Sequence, residues 1–212
     1  MDEMFKMKVR NFHCLNEFAK KGEIVFTGSS LCEQFPISEM LQNVEPRIRV
    51  YNRGIGGDVT EGLMERMEES VFELEPRKVF INIGTNDISR PGYTREKLYA
   101  NYKKILLQIK ERLPETKIYI MSYYPVNREV PWIDAELLKN MFGARTNEEL
   151  IAVNSGLEAM AKELNCTYIN VFDCLLDENG NQCVEYTIDG MHMFANGYKI
   201  VLDVLLPYLL EE

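Results

Sequence analysis

Residues 23–30 read Glu23-Ile24-Val25-Phe26-Thr27-Gly28-Ser29-Ser30, an apolar run that stops at a glycine and two hydroxyls. Ile24, Val25 and Phe26 stand together without polar interruption, the pattern of a strand buried on both faces of a parallel sheet. Gly28 ends the run. Lacking a Cβ, it lets the backbone turn sharply, so that the next side chain stands at the carboxyl edge of the sheet, where open α/β folds hold their ligands. Ser30 is therefore a candidate nucleophile. A plainer reading of the same residues is that Ser29 and Ser30 cap the helix that follows.

Working outward, the same grammar recurs. A second strand, 48–51, runs into Asn52-Arg53-Gly54-Ile55-Gly56-Gly57-Asp58, after which Leu63, Met67, Val71 and Leu74 fall at helical spacing. A third, 79–83, runs into Gly84-Thr85-Asn86-Asp87, and a fourth, 118–121, into Ser122-Tyr123-Tyr124-Pro125-Val126-Asn127. A fifth strand is expected at 168–171. Between the strands lie helical patterns: Ile37, Met40 and Leu41; an amphipathic stretch over 94–113 ended by Pro114; and a stretch opened by the capping box Thr146 to Glu149. A last helix is expected from Ala195. Residues 1–21 read as a lead-in or short helix, with Phe5, Phe12 and Phe18 available for packing. The aperiodic stretch from Asn127 to Gly143 carries Pro131 and Trp132 and reads as a substrate-shaping loop. Strands alternating with helices predict an α/β fold around a parallel sheet, and 212 residues suit one domain spanning 1–212.

Composition narrows the function. The net charge of −9 comes from 24 basic against 33 acidic residues, which argues against a nucleic-acid surface. The amino terminus lacks the continuous apolar segment of a signal peptide, and no stretch has membrane-spanning length, so stable membrane insertion is not expected. The five cysteines form no CxxC pair and are odd in number, which reads as reduced thiols in a cytoplasmic protein. With two histidines and no cysteine ligand spacing, a metal site is not expected.

A serine hydroxyl needs a base within reach and a third group that orients the base. His192 is the histidine outside the amino-terminal segment, and Asp189, three residues earlier, can reach one imidazole nitrogen and leave the other for Ser30. The plain alternative is a helix cap followed by a surface histidine. Negative charge developing on an ester carbonyl oxygen needs fixed donors. Three are available: the Ser30 N–H, the Gly57 N–H and the Asn86 amide. The glycines at 54–57 also fit a tight crossover. As GxGG rather than GxGxxG, they are a weaker match to dinucleotide binding, which a flavodoxin-like nucleotide-binding protein would need.

Four blocks, FTGSS, NRGIGGD, IGTND and DGMH, occur in that order, and the chain resembles the SGNH hydrolases of the GDSL esterase and lipase superfamily. The resemblance implies a three-layer α/β/α, flavodoxin-like fold with about five parallel strands. It implies Ser30 as nucleophile, Asp189 and His192 completing a triad, and Ser30, Gly57 and Asn86 as oxyanion donors. Ser29, Asp58, Tyr124, Val126 and Trp132 are expected to line the substrate. One position departs from the pattern: Ser29 stands where the family has aspartate. The implied reaction hydrolyses a small-molecule ester through an acyl-enzyme, without a cofactor. Acetylated sugars, lysophospholipids, platelet-activating-factor-like acetyl esters and thioesters all fall within the family, and a chain this compact suits short acyl groups. The rival reading is a non-catalytic carbohydrate- or lipid-binding module of the same fold. The apolar end of the last helix, LLPYLL, leaves core packing and a homo-oligomer both open.

Overall fold

The computed structural model describes residues 3–211, in which helices and strands alternate. In order they are α1 (Glu3–Asn16), β1 (Ile24–Gly28), α2 (Ser30–Glu33), α3 (Ile37–Met40), β2 (Val50–Gly54), α4 (Thr60–Glu65), α5 (Met67–Ser70) and β3 (Lys78–Asn82). There follow α6 (Thr85–Ile88), α7 (Arg95–Arg112), β4 (Lys117–Met121), α8 (Ala135–Phe142), α9 (Asn147–Glu163), β5 (Thr167–Ile169) and α10 (Ala195–Leu210). The five strands pair in parallel in the order β2-β1-β3-β4-β5. This is the flavodoxin-like order, whose winding reverses between β1 and β3, and a crevice opens there beyond the carboxyl ends of the strands.

Alternation along each strand sorts the core into two layers. Val25, Val79, Ile81, Ile118 and Ile120 face α4, α5, α7 and α9. Ile24, Phe26, Phe80, Tyr119 and Met121 face α2, α3 and α10. On that second face Phe26, Phe80 and Tyr119 share one row of the sheet, their rings stacked 4.6 and 4.4 Å apart. Such pairs add about 0.5–1.5 kcal/mol each beyond area burial, so the row locks β1, β3 and β4 in register directly behind the site.

Several expectations shift. The stretch read as an aperiodic loop contains α8, capped by Asp134, whose Oδ1 accepts the Glu136 and Leu137 N–H groups. Leu138 and Phe142 are its buried residues; two anchors make too short a series to show a period. The helix expected after Gly57 is broken into α4, α5 and a 3-10 turn over Phe72–Leu74. β2 begins at Val50 and continues to Gly54, hidden in the sequence by the polar Asn52 and Arg53. Helix α1 buries none of its residues, and Phe18, expected to pack, is 86% exposed. Helix α10 lays Tyr198, Val201, Leu202, Leu205 and Leu209 against the sheet, so the apolar LLPYLL segment serves largely as core. All five cysteines are free, and no helix among the described residues is long and apolar enough to cross a membrane.

Candidate active site

The site is built from the ends of β1, β2 and β3 and the loop before α10. At the end of β1, Gly28 lies so close to β3 that a Cβ on it would stand 2.1 Å from the Asn82 carbonyl oxygen. The glycine is required by this approach, rather than by a left-handed turn. The chain then passes through an extended Ser29 (φ −97°, ψ −150°) into the first residue of α2, Ser30. Ser29 occupies the N-cap, yet its side chain makes no capping bond and its buried Oγ has no hydrogen-bond partner. The capping reading therefore fails for Ser29. Ser30 Oγ, half-buried, lies 2.9 Å from His192 Nε2.

His192 is held by a tight turn. Thr187 Oγ1 accepts the Gly190 N–H at 2.8 Å, and the His192 carbonyl accepts the Ile188 N–H at 2.8 Å. Within the turn, Asp189 Oδ1 accepts the Met191 and His192 N–H groups at 3.0 and 2.8 Å, while Oδ2 lies 2.7 Å from His192 Nδ1. The carboxylate thus fixes both the backbone and the imidazole. Burial opposes ionisation of Asp189, but the hydrogen bonds from the His192 side chain and from the backbone outweigh it and hold the carboxyl below its ordinary range. A carboxylate accepting from Nδ1 places the ring proton there and leaves Nε2 as the acceptor facing the serine hydroxyl.

Around Ser30 the glycine loop and the start of α6 are fastened to one another. Gly57 has φ +76°, a conformation that glycine adopts without strain. A Cβ on Gly56 would lie 3.7 Å from Ser30 Cβ, which places this loop alongside the serine. Asn86 Nδ2 donates to the Asp58 carbonyl at 2.8 Å, and the neighbouring Asp87 carboxylate accepts the Thr60 N–H at 3.1 Å and the Thr60 hydroxyl. Burial raises the Asp87 carboxyl above its ordinary range, with the Thr60 bonds opposing. The first N–H groups of a helix have no intrahelical acceptor, so the Ser30 N–H at the start of α2 is left free to donate outward.

The structure brings Ser30, Asp189, His192, Gly57 and Asn86 to one edge of the sheet. Four of the five residues expected to line the substrate are buried. Ser29, Asp58, Tyr124 and Val126 are 1%, 3%, 3% and 3% exposed. Asp58 is bound by the guanidinium of Arg66 at 2.7 Å, Tyr124 packs in the layer with α10, and Val126 pairs through its backbone with the Asn147 side chain. Tyr124 and Val126 are buried by their apolar surface, and Asp58 by its pairing with Arg66. Trp132, half exposed, donates its indole N–H to the Ile188 carbonyl at 2.8 Å and so ties the 128–143 segment to the turn that carries Asp189. Sequence reasoning missed Arg145, a buried arginine whose Nη2 donates to Asn86 Oδ1 at 3.4 Å. Its place just before the Thr146 capping box gave no sign of this.

Beside the glycine loop opens a cavity of about 380 Å³ whose walls include Phe5, Gly57, Val59, Glu61 and Arg90. Among the described residues, no group of histidine, cysteine, aspartate and glutamate side chains is arranged to hold a metal ion.

Comparison with known proteins agrees with this architecture. Platelet-activating factor acetylhydrolase IB subunit alpha1 of Bos taurus is 30% identical over 107 residues, a stretch covering 50% of this chain and 45% of that relative's length. A solved Streptococcus pneumonia protein, described as a platelet activating factor, superposes with a TM-score of 0.85 at 28% identity, covering 96% of this chain and 92% of that one. An acetylxylan esterase from Geobacillus stearothermophilus shares the fold, with a TM-score of 0.68 at 18% identity over 92% of this chain and 96% of that one. Residues 34–200, a range that includes Gly57, Asn86, Asp189 and His192, match the GDSL-like Lipase/Acylhydrolase family. On that match, the chain belongs to the GDSL-like lipase/acylhydrolase family.

Proposed function

We propose that the chain is a serine esterase that removes short acyl groups, acetyl foremost, from a sugar, lipid or small alcohol. The observation that carries this reading is the continuous relay from Asp189 Oδ2 to His192 Nδ1 (2.7 Å) and from His192 Nε2 to Ser30 Oγ (2.9 Å). As Ser30 Oγ attacks the ester carbonyl carbon, its proton passes to His192 Nε2, and Asp189 stabilises the imidazolium. The carbonyl oxygen, now an alkoxide, takes N–H donors from Ser30, Gly57 and Asn86. Collapse breaks the bond to the alcohol oxygen, which receives the proton from His192. Water then adds to the acyl-enzyme with His192 again as base, releasing the acid and restoring Ser30. Ester and water alone balance both steps.

The acetyl preference rests on two supports. Two of the similar proteins, a platelet-activating factor acetylhydrolase subunit and an acetylxylan esterase, are named for acetyl groups. The 128–143 segment is also tied to the Asp189 turn and packed into the core, which suits a small acyl group. The cavity beside Gly57 would take the leaving alcohol. Hydrolysis of p-nitrophenyl esters from acetyl to decanoyl tests the proposal. The expected result is kcat/KM highest for acetyl and falling with chain length, with activity lost in Ser30→Ala and largely kept in Ser29→Ala. A preference for long chains would overturn the substrate class, and full activity in Ser30→Ala would overturn the mechanism.

A further inference from the structure

Arg145 is 4% exposed and forms no ion pair among the described residues. Its Nε and Nη2 donate to Ser89 Oγ at 3.2 and 2.9 Å, a further Nη2 hydrogen goes to Asn86 Oδ1 at 3.4 Å, and Nη1 contacts Met191 Sδ. A buried cation surrounded by neutral acceptors is costly, since none of them returns its lost hydration in full. Burial pushes the group down to about 10, with the Asp189 carboxylate opposing. The guanidinium touches both halves of the site: Asn86 beyond β3, and Met191 between Asp189 and His192.

What the cation does follows from the chemistry of a primary amide. Asn86 has one acceptor oxygen and two N–H donors. One N–H is committed to the Asp58 carbonyl at 2.8 Å, and the oxygen faces Arg145, a group that can only donate. Turning the amide over would set its NH₂ against the guanidinium and its oxygen against the Asp58 carbonyl, two like-for-like encounters. The amide is thereby held one way round, with its second N–H left to donate. Withdrawal of electron density through Oδ1 also makes that N–H a stronger donor.

We infer that Arg145 is a positioning residue for this reaction, fixing and polarising the Asn86 amide so that its remaining N–H meets the oxyanion. The inference rests on the esterase reading above. The test is a double-mutant cycle of Arg145→Met and Asn86→Ala on p-nitrophenyl acetate, with Arg145→Lys run through the same cycle should the methionine variant not fold. Alone, Arg145→Met is expected to lower kcat about 10- to 100-fold with KM nearly unchanged, below the loss of about 10²–10³ for an oxyanion donor itself. In the Asn86→Ala background the same substitution is expected to cost no more than about 3-fold, because residues acting as one unit are not additive. Arg145→Lys, which keeps a donor for Oδ1, is expected to fall between. Equal losses in both backgrounds, or a rise in KM with kcat unchanged, would overturn the inference while leaving the esterase intact. Absence of turnover in the wild-type protein would overturn both.

Discussion

Arg66 and Arg145 are buried to 0% and 4% exposure, both close to the carboxyl edge of the sheet, and their surroundings differ in kind. Arg66 has a carboxylate: its Nε lies 2.7 Å from Asp58 Oδ2. Its other donors reach the Arg53 carbonyl at 2.7 Å, the Gly28 carbonyl at 2.9 Å and Ser70 Oγ at 2.6 Å, stitching the ends of β1 and β2 together two residues before Ser30. Even so, burial outweighs the attraction of Arg66 and raises the Asp58 carboxyl above its ordinary range. The pair's contribution is therefore one of position more than of stability. Arg145 has neutral acceptors only. Proteins tolerate such a group where its field or its donors serve a site, and the difference between the two arginines separates scaffold from machinery at one sheet edge.

The contrast can be broken by experiment. The largest effect is expected from Asp58→Asn, which leaves Arg66 buried without its counter-charge and costs about 3–5 kcal/mol of stability in denaturant unfolding. A loss under about 1 kcal/mol would mean that the carbonyl partners suffice, and the two arginines would no longer differ. Ser89→Ala comes next, since it strips acceptors from the Nε and Nη2 donors of Arg145. A destabilisation of about 1–3 kcal/mol is expected for donors left unsatisfied, and an unchanged midpoint would show the guanidinium bonded elsewhere.

The smallest effect concerns pH. The Asp189 carboxyl sits below its ordinary value of 3.8 in the folded state. Its contribution to stability is thus complete above that value and is lost as the pH falls through the lower folded one. The stability difference between wild type and Asp189→Asn, followed by unfolding at about pH 7, 5 and 3, is expected to stay level and then shrink at the acid end. A difference that grows on acidification would reverse the sign of the shift.

How much of this was legible follows from what each residue must satisfy locally. Strands β1, β3 and β4 were readable because they are buried along most of their length and leave unbroken apolar runs, whereas the partly exposed β2 and β5 were placed with shifted ends. The capping-box reading at Thr146 matches its Oγ1 accepting the Glu149 N–H, for the same local reason. Ser30, Asn86, Asp189 and His192 stood out in the sequence as a hydroxyl, an amide, a carboxylate and an imidazole just beyond strand ends or in the last loop. The structure sets Ser30, His192 and Asp189 in one hydrogen-bonded line, with the Asn86 side chain on the Asp58 carbonyl of the glycine loop. The substrate-lining residues were not readable, since Tyr124 and Trp132 are both aromatics in one stretch and only tertiary packing sends the first to the core and the second to the rim. Arg145 was invisible for a related reason: its partners Asn86 and Ser89 lie 59 and 56 residues away along the chain.

The esterase account is tested most directly by treating the folded protein with a fluorophosphonate, which phosphonylates a serine hydroxyl only when that oxygen is activated. Intact-mass and peptide analysis should find one adduct, on Ser30, absent from Ser30→Ala, strongly slowed in His192→Ala and retained in Ser29→Ala. A folded wild-type protein that stays unmodified, or an adduct that persists in Ser30→Ala, would contradict it.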